Sequence, residues 1–213
     1  MCWNKEISLN TFLFSSFVLL LVWYNNNYTQ YKVSGFENKW IYLFFISFFV
    51  MQLDEYFIWK NINNKFYNTL FTITAGLILL LQPIASSMLI TDIKFRDLIL
   101  KIYLLLFIPY GLYKLYSSKI NTTISPLGHL QWNFGKINKN IKNFFLVLWT
   151  FFFLFPLIYQ KNFIAFLFGF LTLLLMIYNY FKDNSVGSMW CWIVNSCMLY
   201  YAGYLLLYLP FYK

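Results

Sequence analysis

From Ile7 onward the chain repeats one pattern, a run of about twenty mostly apolar residues followed by a short stretch rich in Asn and Lys. Seven such runs fall at approximately 7–23, 40–59, 67–90, 98–116, 144–159, 162–180 and 188–210. None alternates with a period of two, and as helices rising about 1.5 Å per residue they extend about 24–36 Å, the scale of the hydrocarbon core of a bilayer. In that solvent every backbone N–H and C=O must be satisfied within the protein, which a helix does by itself. The pattern therefore predicts an all-α fold, a polytopic transmembrane bundle of about seven spans making one membrane-embedded domain over residues 1–213.

Boundary residues refine the reading. The first run follows Lys5 like a secretory leader but ends in Tyr24 and three asparagines, not in small residues, and reads as an uncleaved first span. Trp40 and Trp59 bracket the second run as interfacial anchors. Gln82-Pro83 predicts a kink, because proline removes one rung of the hydrogen-bond ladder. Gln160-Lys161 leaves room only for a tight helical hairpin. The longest loop, Ser117–Asn143, contains Ser125-Pro126, which predicts a short helix with Ser125 as cap and Leu127, Leu130 and Phe134 on one apolar face.

Composition removes the soluble alternatives: 61% of the 213 residues are hydrophobic and only 11% charged. The net charge of +9 does not imply a nucleic-acid partner, because the sixteen Lys and Arg are spread through nearly every loop. They read as membrane-edge anchors with a secondary affinity for anionic lipid, making membrane lipids the expected partners. Counted on alternate sides of seven spans they divide nine against seven, favouring the N-terminus inside.

Several seven-helix chemistries are excluded. Met189 to Pro210 carries no lysine for a retinal Schiff base, and one histidine cannot supply a zinc or paired-haem site. No metal and no cofactor are expected. Three cysteines form no recognisable framework, and Cys191 and Cys197, six apart on a helix, do not share a face.

The unusual chemistry sits near the end of the second run. Gln52, Glu55 and Trp59 share a helix face, and Asp54 projects about 100° from Glu55. Carboxylates this deep are costly and have partners or functions, so Glu55 is either an edge group paired with a lysine or a pocket residue. His129, the sole histidine, stands near Trp132 in the long loop, as an interfacial residue or a proton carrier. In the last run Ser188, Cys191, Asn195, Met198 and Ala202 form a small polar stripe. It serves as packing glue or as a cavity lining facing Thr72, Gly76, Leu79, Gln82 and Ser86.

With seven spans, the Glu55 end of the second helix, the His129 loop and the start of the last helix all lie on the N-terminal side. The resulting candidate pocket comprises Gln52, Glu55, Trp59, His129, Trp132, Ser188, Trp190, Cys191, Trp192 and Asn195. Its expected use is noncatalytic: binding a lipid or small amphiphile, or a structural role in a membrane. The rivals are a lipid-modifying or hydrolytic enzyme with Glu55 or Asp54 as general base near His129, and a small-solute or proton transporter.

The Gln52-x-x-Glu55-Tyr56-x-x-Trp59 pattern, the Gly128-His129-Leu130-x-Trp132 loop and Gly187-Ser188-Met189-Trp190-Cys191-Trp192 together resemble an uncharacterised multi-pass membrane protein family of large nucleocytoplasmic DNA viruses. An AT-rich codon bias toward Phe, Tyr, Ile, Asn and Lys fits such a genome. The resemblance implies a viral protein of a virion or host endomembrane, and it carries no activity with it.

Overall fold

Asn4 opens the first helix by accepting the Ile7 N–H at 2.9 Å, and the chain then runs through seven helices long and apolar enough to cross a membrane. The computed structural model describes residues 4–117, 119–135 and 138–212. The helices are α1 (Lys5–Tyr28), α2 (Trp40–Lys60), α3 (Lys65–Ser87), α4 (Ile93–Ser117), α5 (Lys139–Tyr159) and α6 (Phe163–Tyr180). The seventh crossing is built from α7 (Val186–Val194), α8 (Cys197–Gly203), a π turn (Tyr204–Tyr208) and α9 (Leu209–Tyr212). It breaks at Asn195-Ser196, where Asn195 N–H turns back to the carbonyl of Trp192 and the Asn195 side chain takes over the Cys191 carbonyl at 2.7 Å.

Helix α2 is central, packing against α1, α3 and α7, while α3 also meets α4 and α5. Aromatic rings fill the middle. Phe153 of α5 stacks on Trp149 at 5.2 Å and on Phe44 at 5.6 Å, and meets Phe48 and Trp190 edge-on. In lipid such contacts hold helices together by packing and interhelical hydrogen bonds, since leaving the bilayer solvent gains little. Ser86 Oγ adds one, donating to the Phe153 carbonyl at 2.6 Å.

Helix α3 continues through Pro83 to Ser87. Proline deprives the Leu79 carbonyl of its helical donor, and the indole N–H of Trp149 replaces it at 2.7 Å. Tyr103 Oη donates to the adjacent Leu80 carbonyl at 2.8 Å. Trp149→Phe is expected to cost about 1–3 kcal/mol, because it strands a carbonyl in a water-free interior. In a Pro83→Ala background, where the helix supplies its own N–H, the cost shrinks. Thermal melts of the double-mutant cycle check this, and equal costs in both backgrounds would refute it.

The long connection departs from expectation. Ser125-Pro126 does not open a helix; it turns a β-hairpin, with β1 (Asn121–Ile124) antiparallel to β2 (Leu130–Asn133) and Ile124 opposite Leu130. Ser125 N–H donates to the His129 carbonyl at 2.8 Å, Gly128 N–H donates to the Ser125 carbonyl at 2.9 Å, and Gly128 sits at φ +81°. Ser, Pro and Gly at the first, second and fourth positions suit a type I turn as well as they suit a helix start. Thr122, Thr123 and Ile124 then favour the extended chain.

The hairpin is clasped to the bundle. Asn68 of α3 exchanges two hydrogen bonds with the Thr122 backbone at 2.8 and 3.0 Å, and the Thr72 and Thr122 hydroxyls meet at 2.7 Å. Ser188 of α7 donates to the Leu130 carbonyl at 3.1 Å.

Candidate functional site

Beneath the hairpin, Met51 and Ile58 of α2, Ala75 and Ile78 of α3, Leu130 of β2 and Cys191 of α7 form one buried apolar cluster, with Trp59 and Trp132 packed on it. Polar groups of the same three helices lie beside it. Gln52 and Glu55 are fully buried, and Gln52 Nε2 donates to Glu55 Oε2 at 2.8 Å, as their three-residue spacing on one face allows. Glu55 interacts electrostatically with the Cys191 thiol, and Gln82 of α3 hydrogen-bonds with that thiol. Gln82 Nε2 is also anchored on the Ser47 carbonyl of α2 at 3.3 Å. One turn further along the last crossing, Asn195 is buried and bonded to the Cys191 carbonyl.

The hydrogen-bond balance of this group is lopsided. The amide nitrogens of Gln52, Gln82 and Asn195 all donate, whereas the oxygens Gln52 Oε1, Gln82 Oε1 and Asn195 Oδ1 accept nothing among the described residues. Buried acceptors without donors are uncommon, since each forfeits its solvation. Asp54, also buried, projects to another face, makes no ion pair among the described residues, and its Oδ2 accepts no hydrogen bond there.

The remaining candidates divide. Trp132 lies over Gly187, where a Cβ would stand 3.0 Å from the ring, so the glycine of Gly187-Ser188 permits the close approach of β2 to α7. Trp190 faces α6 and α5, its indole N–H shared between the Gly169 carbonyl and Thr172 Oγ1 at 3.2 Å each, and it serves the aromatic core. Trp192 is half-buried, and its indole makes no hydrogen bond among the described residues. Trp59 and Trp132 each bury an indole N–H that finds no acceptor there.

His129 belongs to the hairpin turn. Its backbone N–H donates to Ser125 Oγ at 3.1 Å, and its ring meets Tyr180 edge-on at 5.2 Å. Ser125 Oγ in turn donates to Asp183 Oδ2 at 2.5 Å, joined by Ser185 Oγ at 2.7 Å and by Leu127 N–H on Oδ1 at 3.3 Å. Burial works against the Asp183 carboxylate, but these donors and the nearby His129 hold its pKa below the ordinary value. Burial lowers the pKa of His129, with Asp183 opposing. Asp183 is the residue that sequence reasoning missed; its only signal was a polar turn, Lys182-Asp183-Asn184-Ser185, between two spans.

The expected stripe on α3 splits among three neighbours. Thr72 meets the hairpin, Gln82 reaches Cys191, and Ser86 faces α5. Among the described residues no group of three His, Cys, Asp or Glu side chains could hold a metal ion. Comparison with protein families, with curated proteins and with solved structures finds no match to this chain.

Proposed function

We propose that this multi-pass membrane protein is noncatalytic and binds one small amphiphile, a lipid or lipid-like molecule, with its polar head among Gln52, Glu55, Gln82, Cys191 and Asn195. The observation that carries this reading is the set of three buried amide oxygens that accept nothing among the described residues. They call for a ligand that donates hydrogen bonds, through hydroxyl or ammonium groups. His129 contributes to hairpin anchoring, which favours this reading over general-base chemistry with Glu55. On the resemblance given above, the membrane is that of a virion or a host endomembrane.

Native mass spectrometry of the chain released from lipid nanodiscs tests the proposal. The unmodified chain is expected to carry one additional amphiphile, and Gln82→Leu, which keeps the volume and removes the acceptor, to lose it by about tenfold or more. A chain that carries nothing, or a variant that retains the same mass, refutes it.

A further inference from the structure

An open groove lies at the other end of α2. The last turns of α1, the loop after it and the first turns of α2 enclose a cavity of about 700 Å³. Its floor is Leu19, Val33 and Phe36, all buried, and its flanks are Leu20, Trp23 and Ile46, all exposed on the face that meets lipid tails. Asn26 fixes the loop over it, donating to the Val33 carbonyl at 3.1 Å and accepting the Val33 N–H at 2.7 Å.

The rim is charged. Lys32 and Lys39 line the same cavity and are exposed, against a single carboxylate, Glu37, which is engaged by the Gly35 N–H at 2.9 Å. Trp23 and Trp40 mark the headgroup level, so the lysines sit at phosphate depth and the apolar flanks at acyl depth. An apolar trough opening to the bilayer under a net positive rim is complementary to one kind of molecule already present there in excess.

We propose that this groove is a binding site for an anionic phospholipid of the surrounding bilayer, its phosphate-bearing head held by Lys32 and Lys39 and one acyl chain lying along Leu20 and Ile46. This site is independent of the one beneath the hairpin, about 20 Å away along α2. Alternation of the spans places it on the opposite membrane face.

The test uses the full chain in phosphatidylcholine nanodiscs doped with phosphatidylglycerol, with retained lipid counted by native mass spectrometry. Phosphatidylglycerol is expected to be enriched over its share of the bilayer. Lys32→Glu with Lys39→Glu is expected to reduce that enrichment at least about tenfold, each lysine near the surface contributing about a fivefold preference. The control, Lys94→Glu with Lys101→Glu, makes the same charge change on the same face outside the groove and is expected to leave the enrichment intact. No enrichment in the unmodified chain, or equal loss in the control, overturns the site. Both variants alter exposed residues and leave the hydrogen-bonded loop unchanged; retained melting temperature confirms that the groove variant is folded.

Discussion

Asp183→Ala is expected to lower the free energy of unfolding by about 2–4 kcal/mol and to release the hairpin from α6 and α7, because three donors converge on that one carboxylate. Hydrogen exchange reads the second effect directly: Thr122–Asn133 should exchange faster while α2 and α5 stay protected. Unchanged protection would mean that Asn68, Thr72 and Ser188 hold the hairpin without Asp183. Acid should act in the same direction. A carboxylate whose folded pKa is depressed contributes fully above its unfolded value, here 3.8, and that contribution is lost as pH falls through the folded value. His129, also depressed, favours its neutral form, so its contribution is present above 6.5 and declines as pH drops below that. Hairpin protection should therefore fall in two steps on acidification, the first starting below pH 6.5.

The second large effect concerns ligand retention. Glu55→Gln is expected to reduce the bound amphiphile about tenfold or more, and Asp54→Asn to change it by less than about twofold. Glu55 is the residue that Gln52 bonds and whose charge acts on Cys191, whereas Asp54 stands about 100° around the helix. Native mass spectrometry of the two variants ranks them, and the reverse ranking would remove Glu55 from the site. Asp54→Asn also serves as the folding control, since both substitutions exchange a buried carboxylate for an amide of the same shape.

The two halves of the structure were unequally visible in the sequence. Apolar runs of about twenty residues specify helices because lipid leaves the backbone no other economical choice, so the seven-helix class could be read directly. Helix ends were less legible. Helix α4 starts at Ile93, because Asp92 caps it by accepting the Phe95 N–H at 3.2 Å and a helix continues through Lys94, Arg96 and Asp97 at the headgroup level. Helix α5 likewise starts before its apolar run, at Lys139, where Asn138 caps it. The hairpin is not legible locally, because Ser-Pro-x-Gly satisfies both a helix start and a reverse turn. Tertiary partners in α3 and α7, together with Asp183, decide between them. Helical spacing shows that Gln52 and Glu55 share a face, but the nearness of Glu55 to Cys191, and the contact of Cys191 with Gln82, depend on how three helices pack. Periodicity carries no such information. Trp190 shows the converse, a conspicuous residue in a conspicuous motif whose indole is committed to the core.

Seven crossings, one for each long apolar helix, go with this arrangement: two separate the Glu55 end of α2 from the hairpin and two more separate the hairpin from the start of α7, which leaves all three on one side, while α2 itself separates them from the Lys32–Lys39 groove. Compartment-specific reporters fused to the two chain ends measure this directly. Signals from opposite sides of the membrane are expected; both reporters in one compartment would contradict seven crossings.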